Sequence, residues 1–163
     1  MRARWPAGDT GSVTDEQLMG MLAVTARSAC QHMTSSHLAA LADGVAQAES
    51  LPAKPYWDRK AAAHATVIGM LGDATGDPVL MRLAGLAAGW TYDLTVAVGP
   101  TADGIILGSR RRLLGYLRAG DDEAAGREIE NHLRVLSFME RLFRQGTAAA
   151  VARRSPDAPR SAA

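Results

Sequence analysis

Apolar residues recur at intervals of three and four along most of the chain. Strict alternation of apolar and polar residues is nowhere sustained, so the pattern predicts helices and no strands. The first helix covers about residues 13–32. There Thr14 and Gln17 have the spacing of a capping box, and Leu18, Met21, Leu22 and Thr25 form a stripe. Thr34 and Ser35 open a second helix with Leu38, Leu41 and Val45 on one face. Pro52 and Pro55 make residues 50–56 a connection, and a third helix follows over about 57–74, with His64, Val67, Ile68 and Leu71 aligned. Asp77 then Pro78 is an N-cap followed by a proline at the first helical position, starting a fourth helix to about 98. Its expected inner face is Leu80, Leu83, Ala87, Trp90 and Leu94. A fifth helix over about 102–119 turns Ile106, Leu113, Leu114 and Leu117 inward. Gly120 stops it, and Asp121 caps a sixth that runs to about 145, with Ile129, Leu133, Leu136, Met139 and Phe143 along its stripe.

Short connections between amphipathic helices predict an all-α antiparallel bundle of about six helices over residues 12–146. Residues 1–11 read as a flexible N-terminus, and the Ala-, Arg- and Pro-rich residues 147–163 as a disordered tail. Composition agrees: alanine, the best helix former, is the most abundant residue of the 163. Charge narrows the function. Lys plus Arg number 18 against 17 Asp plus Glu, a net charge of +1, which argues against nucleic-acid binding through bulk charge. One cysteine, Cys30, excludes an intramolecular disulfide and a Cys-based zinc cluster; it reads as a small buried hydrophobe in a reducing compartment. The most apolar stretch, 81–98, carries Arg82 and Asp93, so no membrane span is expected, and the N-terminus lacks the apolar run of a secretory signal. The expected location is the cytoplasm.

Four polar residues break the apolar stripes. His64 shares its face with Val67, Ile68 and Leu71, and Lys60 lies one turn before it. Arg110 precedes Leu113, Leu114 and Leu117 by three, four and seven residues. His132 falls between Ile129 and Leu136. Three helices thus each direct a cation or an imidazole toward the side that should be buried. A buried cation without a partner costs several kcal/mol, roughly, so the set requires an acidic partner, water or a ligand. For each residue alone the plain alternative stands: a core histidine satisfied by its neighbours, or a Lys or Arg that snorkels outward. His64 and His132 could ligate a metal, but a stable site wants three or four ligands, and Lys60 and Arg110 do not coordinate at neutral pH. His32 and His37 read as surface residues. No G-x-S-x-G, phosphate-binding glycine loop or H-E-x-x-H occurs, and no enzymatic activity is expected.

Two segments carry a resemblance. Residues 119–133, AGDDEAAGREIENHL, are similar to the closing motif of the FCD domain, the C-terminal effector-binding domain of the FadR subfamily of GntR-type transcription regulators. His64 with the following VIGML, and Thr75-Gly76-Asp77-Pro78-Val79-Leu80, resemble that family's F-H…A-x-G-N-P-x-L stretch, with Asp77 where Asn is usual. The resemblance covers about residues 12–145 and implies a dimeric helical sensor. The family often holds a divalent metal through one Asp and three His. Here His64 and His132 stand at two of the histidine positions, Lys60 at the Asp position and Arg110 at the remaining histidine. The resemblance, so modified, implies no metal cofactor. It implies a small organic acid or other anionic effector held by Lys60, His64, Arg110 and His132. The family's DNA-binding winged helix-turn-helix precedes this domain, and only about a dozen residues precede the first helix here. DNA contact is therefore expected only through a missing or separate reader. Two other readings stay open: a metal sensor using His64 and His132, and a structural helical module with a decayed pocket.

Overall fold

The structure, a computed structural model, describes residues 14–154, and the expectations for 1–11 and 155–163 lie outside the described residues. Six α-helices and no strand occur among the described residues, as the periodicity predicts. They are α1 (Asp15–His32), α2 (Ser35–Ser50), α3 (Trp57–Thr75), α4 (Pro78–Val98), α5 (Asp103–Ala119) and α6 (Asp122–Arg154), with a single 3-10 turn, Pro100–Ala102, ahead of α5.

Local chemistry sets the boundaries. Thr14 Oγ1 accepts from the Gln17 amide at 3.2 Å while Gln17 Oε1 accepts from the Thr14 amide at 2.9 Å, a reciprocal capping box. Asp77 Oδ1 accepts from the amides of Val79 and Leu80 at 2.7 and 3.3 Å, and Pro78 supplies the first helical φ. Gly76 and Gly120 end α3 and α5 at φ 66° and 69°, left-handed values that a side chain would strain. Asp121 Oδ1 accepts from the Ala124 amide at 2.9 Å and starts α6.

α3 lies against α4, and α1 against α6. Gln31, at the end of α1, donates to Asp122 at the start of α6 (2.7 Å), so that pair runs antiparallel. The main core gathers Leu22, Leu41, Ile68, Leu71, Leu113, Ile129 and Leu133. Each such side chain contributes about 1.5–3 kcal/mol by leaving water. A smaller cluster of Trp57, Leu94, Val98, Ile106 and Leu136 continues it toward the other end. The Trp57 indole N–H donates to the Thr95 carbonyl at 3.1 Å and ties α3 to α4 there.

Four sequence expectations change. Met21 is exposed while Ala26 and Ala29 are buried on α1. On α4, Leu80, Leu83 and Trp90 are only half-buried, and the line facing the core is Ala84, Ala87, Thr91, Leu94 and Val98. Small residues hold the inner face because α3 approaches closely: a Cβ on Gly72 would stand 2.6 Å from the Ala84 Cβ. Phe143 is 47% exposed, and residues 141–147 are exposed on every side, so α6 runs on beyond the bundle. That same continuation replaces the predicted tail: residues 147–154 are helical.

Candidate functional site

The four stripe-breaking residues are all interior. Relative exposure is 0% for His64 and Arg110 and 3% for Lys60 and His132. They come from three helices. α3 supplies Lys60 and His64 one turn apart, α5 supplies Arg110 and α6 supplies His132. Arg110 Nε donates to the His64 main-chain carbonyl at 3.3 Å, which joins α5 to α3 at the cluster.

A fifth residue completes it. Asp103, in the first turn of α5, accepts from Lys60 Nζ at 2.8 Å, and its other oxygen stands 3.5 Å from His64 Nε2. Lys60 Nζ also donates to the Leu51 carbonyl at 2.8 Å, so the ammonium is held from two sides. Asp103 is absent from the sequence-predicted set. Its signal is the spacing of seven to Arg110, which puts both on one face of a helix. An acid in a first helical turn ordinarily reads as a partner of the helix dipole, and that reading hides its inward role.

The remaining polar atoms are left without partners. Both terminal nitrogens of Arg110, both ring nitrogens of His132 and Nδ1 of His64 are buried with no hydrogen-bond partner, and His64 Nε2 has only the long approach of Asp103. Buried polar groups in native proteins are nearly always satisfied, so this concentration sets the cluster apart from the rest of the core.

Electrostatics follows from the burial. Desolvation, helped by the Arg110 charge, pushes His64 down to about 4, with Asp103 acting in the opposite sense. His132 is driven well below the ordinary imidazole range by burial first, then by Arg110, His64 and Arg112. Both rings are therefore neutral at neutral pH. Burial lowers Arg110 to about 10, partly offset by Glu128, which leaves the guanidinium charged under the same conditions. Glu128 is itself engaged by Arg112 through two bonds of 2.9 Å.

The other expected positions are plain. Of the run 110–112, only Arg110 turns inward; Arg111 reaches Glu49 at the surface and Arg112 reaches Glu128. His32 is exposed beside the Ser28 carbonyl, and His37 takes part in the Thr34 cap. Cys30 is buried, and burial raises its thiol above the usual value. Among the described residues, no three His, Cys, Asp or Glu side chains converge as a metal-ligand set. Chemically, the cluster presents one charged hydrogen-bonding fork and two neutral imidazoles, an arrangement suited to an anion.

Compared with known proteins, the chain matches no family model, no curated protein and no solved structure.

Proposed function

We propose that this chain is an effector-sensing, dimerising domain of the kind that GntR-type regulators of the FadR subfamily carry. Its ligand is a small anionic, organic acid-like molecule held by Lys60, His64, Arg110 and His132 in the bundle interior. The observation that carries the reading is Arg110, wholly buried and charged, with both terminal nitrogens open. A guanidinium in that condition favours a bidentate acceptor over any neutral occupant. Support from the sequence is the resemblance of residues 119–133, and of the stretch after His64, to the FCD motifs.

Signalling would follow from where the groups are mounted. An anion at Arg110 touches α3, α5 and α6 at once, so binding favours the arrangement in which these three helices lie best around it. The readout would be a changed geometry between two copies in the cytoplasm, passed to DNA by a helix-turn-helix outside this sequence.

A thermal-shift screen of organic acids tests the proposal, with Arg110→Ala as control. A shift in the wild type that vanishes in the variant is the expected result. Equal shifts in both refute the assignment. One observation favours a metal instead, namely the open imidazole nitrogens of His132 and the open Nδ1 of His64. The two cations beside them oppose it, and stoichiometric zinc or nickel in purified protein would decide for it.

A further inference from the structure

We infer that the outer face of α4 is a contact surface for a second copy of this chain, which packs there antiparallel about a two-fold axis. This surface extends the dimerising role given above by a location and a register, and it stands on α4 alone, whatever the interior cluster binds. Val79, Arg82, Leu86, Gly89, Asp93 and Val96 are all exposed. At 3.6 residues per turn they share a sector of about 100°. That sector lies opposite the line of Ala84, Ala87, Thr91, Leu94 and Val98 that faces the core. Val79, Leu86 and Val96 are large hydrophobic residues left in water. Arg82 and Asp93 have no ion-pair partner among the described residues.

The order of these residues is self-complementary. When two copies of α4 run antiparallel about an axis between Ala87 and Ala88, residues equally far from that point face each other. Val79 then meets the partner's Val96, Arg82 the partner's Asp93 and Leu86 the partner's Gly89, and each contact occurs twice. The two lone charges are thereby matched, and the valines leave water together. Leu86 also has a place to go, because a Cβ built on Gly89 has nothing within 4 Å. Parallel pairing would instead set Arg82 against its own copy. The exposed line of Val135, Phe138 and Leu142 on α6 fails the same criterion. Paired antiparallel on itself, it would bring Arg134 near the partner's Arg141.

The test is sedimentation velocity of the full chain over a concentration series. A lone helix pair about 26 Å long is a small interface, so a reversible dimer with Kd of about 1–100 μM is expected. Arg82→Asp and Asp93→Arg each create two like-charged pairs and should each weaken self-association at least about tenfold. An equimolar mixture of these two variants makes every pair opposite again and should dimerise about as tightly as the wild type. The double variant Arg82→Asp/Asp93→Arg should do the same. Gly89→Leu fills the place of Leu86 and should also weaken the dimer at least about tenfold, with an unchanged circular dichroism spectrum because the added carbons meet nothing in the monomer. All three positions are exposed, so the fold is expected to survive each change. Single variants that weaken the dimer without recovery on mixing overturn the antiparallel register. A dimer that none of the variants alters overturns the α4 surface and leaves the sensing reading standing. A chain that stays monomeric throughout overturns the surface and the dimerising part of that reading together, whereas the acid screen alone decides ligand binding.

Discussion

Arg110 shows how a residue can be costly to the fold and still have a physical role. Its guanidinium gives up hydration and receives in exchange one bond to the His64 carbonyl. Replacing a buried charge by an apolar side chain of similar length is often stabilising, so Arg110→Met should raise the stability of the ligand-free protein by about 1–3 kcal/mol. Chemical denaturation in a low-anion buffer checks this; a clear loss of stability would mean that the guanidinium already has a strong partner. The two histidines give a second expectation. Their folded-state proton affinity is lower than in the unfolded chain, so unfolding takes up protons, and stability is full above about 6.5. It falls as the pH drops below that value and, for His64, levels off near 4. The His64 share of the loss is about 2 kcal/mol by about pH 5. Urea midpoints measured across this window should slope accordingly, and His132→Phe should make the slope shallower. A flat profile would show that neither ring is held neutral. These positions were legible from the sequence because a polar residue in an apolar stripe is conspicuous. Asp103 was not, because it is the first residue of its helix, where an acid has an ordinary explanation.

At the scale of elements, caps and stops were the most readable features, since Thr14, Asp77, Gly76, Gly120 and Asp121 each act within a few residues of themselves. Inner faces were readable where large residues fill the space, as on α3 and α5. They were misread on α4, because closeness between helices selects alanine and glycine, and those residues carry little weight in a hydrophobic pattern. Two glycine substitutions separate the cases. Gly72→Ala would bring a Cβ within 2.9 Å of the Met81 Cα as well as onto Ala84, and main chain cannot swing aside. It should cost about 1–3 kcal/mol despite alanine's better helix propensity. Gly115, exposed in the middle of α5, has nothing within 4 Å of the added carbon. There alanine should stabilise by about 0.5–1 kcal/mol. Thermal melts of the two variants should move in opposite directions.

For the whole molecule, the all-α architecture was legible and the extent of α6 was not. Residues 141–147 are exposed on every side, so no neighbour imposes an apolar stripe there and nothing in the pattern distinguishes that stretch from a tail. The proposed ligand joins α3, α5 and α6, and hydrogen exchange should register that union. Saturating a binding acid is expected to slow exchange in those three helices together and leave α2, which contributes no side chain to the cluster, little changed. Protection confined to α5 would argue against a shared site.

The contact at Gly72 has a consequence for how such binding would be felt elsewhere. With only the Ala84 methyl between them at Gly72, α3 and α4 approach closely there and have little slack to absorb a relative slide. α3, which carries Lys60 and His64, and α4, whose Val79, Met81 and Leu86 face solvent, are therefore expected to shift together. On the proposed reading, a displacement at the ligand would emerge on the outer side of α4.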